Sequence, residues 1–319
     1  MAKNLLVAGG AGFIGCNFVR FTLKKHKDWN ITVVDDLSFS RLENLKDVLK
    51  EVEFSKVDVS KYDALQPFLK NKDLVVNFVA QTHVDRSIAD SRPFIISEVL
   101  GTDNLLRAAR ENNVGRYLQV STDEVYGEIS SGSFKPGDRL NPRNPYAAAK
   151  AGADLLVRAS WYTFQFPVLI TRCSNNFGPY QHPEKFIPKT IAMASEGKPV
   201  PLYGDGEQIR DWIHVSDHCS AIDLVLERGE PGGVYHAASG NEMKNVDVAS
   251  FILAELGRDS TLIQHVTDRL GHDRRYSLDT AGTRALGWSP SIGFEEGLRD
   301  TIRWYVENQV WWKPLIAKS

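Results

Sequence analysis

Cysteine is scarce in this chain of 319 residues, and long apolar runs are missing. The three cysteines, Cys16, Cys173 and Cys219, lie far apart and form no CxxC motif, which excludes a disulfide framework and a structural zinc site. No uninterrupted apolar run approaches the roughly 18 residues of a membrane span, and no signal-like segment follows Met1. These absences predict a cytoplasmic protein that has no membrane partner.

A strong charge of one sign is also missing. The chain has 38 Lys and Arg against 40 Asp and Glu, and its net charge is -2. Such a balance provides no electrostatic case for binding nucleic acid, although local cationic clusters can still bind a small anion. No linker rich in Gly, Pro or Ser divides the chain, and its 42% hydrophobic content suffices for one large domain or two coupled ones.

The first half of the chain alternates short apolar runs with amphipathic stretches. The apolar runs cover residues 5–8, 31–34, 54–59, 74–79, 117–120 and, after a longer gap, 168–171. The intervening stretches cover residues 13–25, 62–69, 101–111 and 146–164. Strands that lack an alternation of apolar and polar residues are typical of sheets covered on both faces. The pattern therefore predicts an α/β fold with a doubly wound parallel sheet of the Rossmann type.

The composition of the sequence changes after about residue 172, where Pro and Gly become frequent. Short helices are predicted near residues 186–196, 216–227, 246–256 and 294–308. We therefore expect a large domain over residues 1–172 and a smaller mixed α/β region over residues 173–319, some elements of which return to the large domain.

A glycine-rich turn follows the first apolar run and opens the first helix. Gly9, Gly12 and Gly15 have the GxxGxxG spacing, which permits close approach of a dinucleotide pyrophosphate to the helix N-terminus. Asp35 ends the second run about 20 residues later, where an acid accepts from the adenosine ribose and repels a 2′-phosphate. The turn and this acid predict NAD as the cofactor. Asp58, at the end of the third run, is a candidate for contacting the adenine.

Two groups of residues suggest the chemistry. Tyr146 and Lys150 lie four residues apart on one helix, so the ammonium can approach the phenol and, together with the positive charge of a nicotinamide, lower its pKa. Thr122, Asp123 and Glu124 follow the fifth run, at the sheet edge where ligands bind in such folds. Thr122 is suited to a sugar hydroxyl, and two adjacent carboxyls supply the acid and the base that an elimination needs.

The chain resembles the dTDP-glucose 4,6-dehydratases, a branch of the extended short-chain dehydrogenase/reductases. The resemblance covers nearly the whole sequence and rests on GGAGFIG (9–15), HVDRSI (83–88), STDEVYG (121–127), YAAAK (146–150), TRCSNNFGPYQHPEKFIP (171–188), PLYGDGEQIRDWIHVSDH (201–218) and GHDRRYSLD (271–279). It implies that Tyr146 takes the proton of the C4 hydroxyl while hydride passes to NAD. Glu124 then removes the C5 hydrogen, Asp123 protonates the departing C6 hydroxyl, and the hydride returns to C6.

The resemblance also assigns further residues to binding. Around NAD it places Phe13, Ile14, Val59, Ala80, Ser97 and Asn176, besides Tyr146 and Lys150. Around a nucleotide diphosphate sugar it places Thr82, Thr122, Asn175, Lys185, Phe186, Pro201, Tyr203, Arg210, Asn245, Arg269 and His272. A homodimer formed by the Tyr146 helix and the helix near residues 101–111 is implied as well. His214 and His218 have a metal-like spacing, yet no third ligand accompanies them, so no metal is expected.

Some positions depart from the resembled family and leave alternatives open. The segment after Asp35 differs, and the other departures are Gln81 for Glu, Glu98 for Asn, Phe177 for Tyr and Ala147 for Ser. They leave open whether the substrate is dTDP-glucose, UDP-glucose or UDP-N-acetylglucosamine. A nucleotide-sugar 4-epimerase has no use for the Asp123–Glu124 pair, and an NAD-sensing protein without activity has no use for the catalytic set. The sequence therefore favours a 4,6-dehydratase over both.

Overall fold

One large sheet and two small ones organise the chain in a computed structural model that describes residues 2–268 and 270–316. The strands are β1 Asn4–Ala8, β2 Asn30–Asp35, β3 Glu53–Lys56, β4 Leu74–Asn77, β5 Arg116–Thr122, β6 Val168–Cys173, β7 Asn175–Phe177, β8 Val200–Tyr203, β9 Ile209–His214, β10 Val234–Ala237, β11 Glu242–Lys244 and β12 Ile263–Val266. The large sheet has the order β10-β6-β5-β4-β1-β2-β3, and its pairings are all parallel. The predicted doubly wound parallel fold is confirmed.

Both faces of the large sheet are buried, which explains why its strands lack alternation. In β1, Leu5 and Val7 belong to one hydrophobic core, whereas Leu6 and Ala8 belong to another on the opposite face. Successive side chains of a strand point to opposite faces, so most residues of such a strand are apolar. One boundary was wrong: β3 ends at Lys56, so Asp58 lies two residues beyond the strand instead of ending it.

Twelve helices are found among the described residues, and some of them cover the two faces of the large sheet. They are α1 Phe13–Lys25, α2 Tyr62–Leu65, α3 Val84–Ala89, α4 Arg92–Phe94, α5 Gly101–Glu111, α6 Pro145–Phe164, α7 Phe186–Ser195, α8 Val215–Arg228, α9 Asn245–Glu255, α10 Ala281–Ala285, α11 Phe294–Glu307 and α12 Gln309–Ile316. The sequence placed the start of α5 correctly but missed the π-helical turn Ile95–Leu100, which joins α4 to α5 without a break.

The second half of the chain builds the small sheets and also contributes to the large one. Strand β10 pairs with β6, and α8 packs against β5, β6 and α1. The small sheets have the orders β11-β9-β7 and β12-β8, and α7, α9, α11 and α12 pack beside them around Trp212 and Trp312. Among the described residues, no helix is long and apolar enough to cross a membrane.

Candidate active site

A cleft of about 740 Å³ opens along the carboxyl ends of β1, β2, β4, β5 and β6. Parallel strands bring their carboxyl ends to one edge of the sheet, which is where ligands bind in this architecture. Many predicted site residues line the cleft together: Gly9, Gly12, Phe13, Ile14, Gly15, Asp35, Asp58, Val59, Ala80, Thr82, Ser97, Thr122, Asp123, Glu124, Tyr146, Lys150, Asn175, Asn176 and Lys185.

The glycine turn has room for a pyrophosphate at only one of its three predicted glycines. Gly9 has φ +74°, and a Cβ there would lie 2.7 Å from the Val79 nitrogen. A Cβ on Gly15 would collide with the carbonyl oxygen of Gly9. At Gly12 the nearest atom would be 3.3 Å away, and Gly12 immediately precedes α1. Gly9 and Gly15 thus shape the turn, while Gly12 leaves the helix N-terminus accessible, as a bound dinucleotide requires.

Asp35 is held at the end of β2 by three donors from the chain. One carboxylate oxygen accepts from the Ala11 nitrogen at 3.0 Å, and the other accepts from the Leu37 nitrogen at 2.9 Å and from the Ser40 hydroxyl. Burial raises the pKa of Asp35, and these hydrogen bonds oppose that rise. A carboxylate offers about four acceptor positions, so one remains for a ribose hydroxyl. The residues of the cleft therefore fit NAD.

Asp123 and Glu124 are neighbours in the chain but have different surroundings. Asp123 is 3% exposed; one of its oxygens accepts from the Thr122 hydroxyl at 3.0 Å, and the other has no hydrogen-bond partner. Burial, and secondarily the charge of Glu124, raises the pKa of Asp123 to about 8. Asp123 thus carries a proton at neutral pH and can donate it.

Asn144 holds Glu124 in place, and the sequence analysis missed it. Its amide nitrogen donates to a Glu124 carboxylate oxygen at 3.1 Å, while its side-chain oxygen accepts from the Ala147 nitrogen at 2.8 Å. Asn144 is therefore the N-cap of α6, with Pro145 as the first helical residue. An Asn followed by Pro at a helix start is a recognisable capping signal. One residue joins the start of the Tyr146 helix to the carboxylate.

Tyr146 and Lys150 face the cleft from α6, and both are buried. The Lys150 ammonium donates to the Val120 carbonyl oxygen at 2.8 Å, which ties α6 to β5. Burial raises the pKa of Tyr146 well above its usual range, and the carboxylates of Glu124 and Glu98 raise it further. The lowering of this pKa that the Tyr–Lys spacing predicted is therefore outweighed by burial within the chain itself.

Several predicted substrate residues lie in the second half, outside the lining of this cleft. They are Phe186 at the start of α7, Pro201 and Tyr203 in β8, Arg210 in β9, Asn245 at the start of α9, and His272. Arg269 lies outside the described residues. The Tyr203 and His272 rings are 6.0 Å apart, so these two residues do come together.

Arg210 is buried behind the carboxyl pair. Its guanidinium donates to the Asp273 carbonyl oxygen at 2.8 Å and lies 4.5 Å from the centre of the Tyr276 ring. The positive charge of Arg210 acts to lower the pKa of Asp123, against the larger effect of burial. Arg210 therefore contributes to the electrostatics at the carboxyl pair.

The amide oxygens of Asn245 and of Gln208, which the sequence analysis did not single out, are buried without a hydrogen-bond partner. Such oxygens suit a polar ligand, because an unmade buried hydrogen bond costs about 1–3 kcal/mol.

The far end of the chain also reaches the cleft, which the sequence did not predict. Pro314 and Leu315 of α12 line the cleft together with Arg41. Arg41 donates to the Trp311 carbonyl oxygen at 3.2 Å, and the Trp311 indole donates to the Asn44 side-chain oxygen at 2.9 Å. These contacts join residues about 270 positions apart, so no local pattern announces them.

The two histidines with metal-like spacing, His214 and His218, both make hydrogen bonds within the fold. His214 accepts from the Ser216 nitrogen through Nδ1 at 3.3 Å, and His218 is buried with its Nδ1 2.8 Å from the Asn176 side-chain oxygen. The pKa values of both histidines are lowered by burial.

Comparisons with known proteins identify the family. The family model described as GDP-mannose 4,6 dehydratase matches residues 6–301. The low-salt glycan biosynthesis protein Agl12 of Haloferax volcanii is 46% identical over 306 residues, which are 95% of this chain and 98% of that protein. The dTDP-glucose 4,6-dehydratase of Streptomyces niveus is 44% identical over 319 residues, which are 98% of this chain and 95% of that protein.

A solved structure has nearly the same fold. DesIV, the dTDP-glucose 4,6-dehydratase of Streptomyces venezuelae, was solved with NAD bound; it has a TM-score of 0.95 and 45% identity and covers 98% of this chain and 99% of its own. The chain therefore belongs to the nucleotide-sugar 4,6-dehydratase family, within the extended short-chain dehydrogenase/reductases, as its motifs predicted.

Proposed function

We propose that this protein is an NAD-dependent dTDP-glucose 4,6-dehydratase, which converts its substrate into a dTDP-4-keto-6-deoxyglucose and water. The observation that carries the proposal is the Asp123–Glu124 pair, in which one carboxyl is buried with a raised pKa and the other is held by Asn144. An elimination needs a group that gives a proton to the leaving hydroxyl beside a group that takes a proton from carbon.

NAD is proposed to lie along the cleft. Its pyrophosphate would meet the helix N-terminus at Gly12, and its adenosine ribose would meet Asp35. Asp58 and Val59, which line the cleft, would meet the adenine, and Ala80, Ser97 and Asn176 of the same cleft would contact other parts of NAD. Bound there, NAD would supply the hydride acceptor for the oxidation at C4 and the hydride donor for the reduction at C6.

The chain's own residues handle the protons. Tyr146 accepts the proton of the C4 hydroxyl, with the Lys150 ammonium and the positive nicotinamide ring stabilising its phenolate. Oxidation makes C4 a ketone, which acidifies the hydrogen at C5. Glu124 removes this hydrogen as a proton and gives a proton back to C5 when C6 is reduced. Asp123 gives its proton to the departing C6 hydroxyl, which leaves as water. Thr122 donates to Asp123 and faces the cleft, where it can also bind a sugar hydroxyl.

The nucleotide diphosphate sugar is proposed to bridge the two halves of the chain. Thr82, Asn175 and Lys185 line the cleft on the sugar side, and Lys185 donates to the Thr82 carbonyl oxygen. Arg210 and Arg269 suit the diphosphate, because guanidinium groups bind phosphate oxygens through paired donors. The remaining predicted contacts are Phe186, Pro201, Tyr203, Asn245 and His272. Residues 1–172 would then serve mainly the cofactor, and residues 173–319 mainly the substrate.

A panel of dTDP-glucose, UDP-glucose and UDP-N-acetylglucosamine tests this function. Mass spectrometry should detect loss of one water, fastest from dTDP-glucose, without added oxidant. Faster loss of water from a UDP-sugar would transfer the proposal to that substrate. Conversion of UDP-glucose to its C4 epimer with no loss of water would replace the dehydratase by an epimerase.

A homodimer is also proposed, and it rests on an exposed apolar face. Ile95, Ile96 and Leu100 of the π turn and Leu155 and Tyr162 of α6 are large apolar side chains that remain exposed. Sedimentation of the purified protein should give a dimer at micromolar concentration, because a patch of this kind is normally covered by a partner. Leu155→Glu should give a monomer, whereas the same substitution at exposed Val310, away from this face, should not. A monomeric wild type would contradict the dimer.

A cytoplasmic location remains part of the proposal. Cys16, Cys173 and Cys219 are buried free thiols, which suit a reducing compartment.

A further inference from the structure

A buried carboxyl outside the predicted catalytic set lies beside the Tyr146 helix. Glu98 is 1% exposed, and its carboxylate oxygens make no well-aligned hydrogen bond within the described part of the chain, although the Gln81 backbone nitrogen lies near enough to favour the charged form. A buried carboxylate without a partner is costly, so such a group tends to keep its proton. Among the described residues, this carboxyl neither caps a helix nor forms an ion pair.

The π turn, which contains Glu98, packs along α6, the helix that bears Tyr146 and Lys150. The ring of Phe94, just before the turn, lies 6.4 Å from the Tyr146 ring in an edge-on arrangement. Val99, just after Glu98, lies so close to Gly152 that a Cβ there would be 3.3 Å from its side chain. The turn therefore runs along α6 from Tyr146 to Gly152 and places Glu98 in the stretch between them.

The charges around Glu98 come from the elements packed against the π turn. From α6 the Lys150 ammonium favours the charged form of Glu98, while Asp154 opposes it; Glu124, beyond β5, opposes it too. Burial is the largest effect, and it raises the pKa of Glu98 to about 8. In the other direction, the charge of Glu98 raises the pKa of Tyr146. The state of the Glu98 carboxyl and the readiness of Tyr146 to lose its proton are thus coupled.

We propose that Glu98 is a positioning residue that controls Tyr146 through its own protonation. A neutral Glu98 leaves the Lys150 ammonium to stabilise the Tyr146 phenolate. An ionised Glu98 competes for that ammonium, repels the phenolate and so weakens Tyr146 as the proton acceptor for the C4 hydroxyl. This inference rests on the proposed role of Tyr146 and deepens it, because it adds a group that sets the alkaline limit of the oxidation step.

Glu98→Gln provides the test, because the amide keeps the shape and cannot ionise. The rate of reduced-nicotinamide formation on mixing with dTDP-glucose is measured in one turnover from about pH 6 to about pH 9.5. The variant should match the wild type at low pH and exceed it by about tenfold at high pH, the effect of one pKa unit. Glu98→Asn should behave alike. Glu51→Gln removes an exposed Glu far from the cleft and should track the wild type throughout.

A ratio of Glu98→Gln to wild-type rate that does not change with pH would overturn the inference, since a structural role alters the rate equally at every pH. A second readout needs no turnover: the tyrosinate absorbance that is lost in Tyr146→Phe should appear at lower pH in Glu98→Gln than in the wild type. An unchanged midpoint would also overturn it. If Tyr146→Phe oxidises substrate at the wild-type rate, the proposed function fails instead; a slow Tyr146→Phe with a flat ratio defeats the Glu98 inference alone.

Discussion

Replacing Asp123 with Asn should stabilise the protein at neutral and alkaline pH while it removes the proton donor. Burial, with the charge of Glu124, raises the pKa of Asp123 to about 8 from an ordinary value of 3.8. The unfolded chain therefore releases this proton near pH 4, whereas the folded chain keeps it until about pH 8. Asp123 contributes fully to the stability of the wild type below about pH 4, and that contribution is lost as the pH rises to about 8.

The structure sets the size of this effect. At about 1.4 kcal/mol per pKa unit, the difference between the two pKa values corresponds to an upper limit of roughly 6 kcal/mol. Relaxation around a buried charge leaves a smaller penalty, and we expect about 2–3 kcal/mol. Asn keeps the oxygen that accepts from the Thr122 hydroxyl and places a neutral amide where Asp123 has an unpartnered oxygen. For a chain of 319 residues this amounts to about 3–5 °C in melting temperature.

Calorimetry of the NAD-free wild type and Asp123→Asn at about pH 4.5 and about pH 8 measures this difference. The two melting temperatures should nearly coincide at the lower pH, and the variant should melt higher at the upper pH. Asp63→Asn changes an exposed carboxyl and serves as the control, with no pH-dependent gain. If Asp123→Asn loses stability relative to the wild type as the pH rises, the Asp123 carboxyl is ionised in the folded protein and the reasoning is refuted.

Three further predictions concern the cofactor turn and the core. Gly12→Ala should weaken NAD binding by tenfold or more with little change in melting temperature, whereas Gly15→Ala should destabilise the fold, because its Cβ collides with the backbone of the turn; equal effects of both on unfolding would contradict this division. Asp35→Ala should weaken NAD binding by about 10- to 100-fold, since a hydrogen bond to a charged group contributes about 1.5–3 kcal/mol, and unchanged fluorescence titration would exclude a ribose contact. Asp154→Ala should lower the free energy of unfolding by about 3–5 kcal/mol in urea titrations, because it leaves the buried guanidinium of Arg172 without its 2.9 Å partner; a loss below about 1 kcal/mol would show that the pair is not stabilising.

Local sequence patterns were sufficient to predict the features of the fold that repeat along the chain or that depend on residues close together in the sequence. The sheet was predictable because β1 contributes side chains to two cores and is therefore apolar from Leu5 to Ala8. The cleft lining was predictable around Gly12, Asp35 and the Tyr146–Lys150 pair, because strand ends and helical spacing fix their positions.

The features that sequence reasoning missed depend on contacts between distant segments or on unusual backbone. The contact of Trp311 with Asn44 joins the end of the chain to the glycine turn, and no period or motif encodes it. The π turn before α5 has an ordinary helical sequence, so the sequence does not show that this turn contains one residue more than an α-helical turn. The burial of Glu98 in the turn could not be predicted either. The helical spacing of Tyr146 and Lys150 also does not reveal that the phenol is buried, and this burial raises its pKa.

The most direct test of the dehydratase mechanism is a single turnover of dTDP-glucose by Asp123→Asn, followed by the absorbance of reduced nicotinamide and by mass spectrometry. Oxidation at C4 should survive while loss of water slows by about 10²–10⁴-fold, so reduced cofactor should accumulate on the enzyme. Glu124→Gln should accumulate it too, and Tyr146→Phe should not. If Asp123→Asn and Glu124→Gln both lose water at the wild-type rate, the carboxyl pair is structural and the proposed mechanism is wrong.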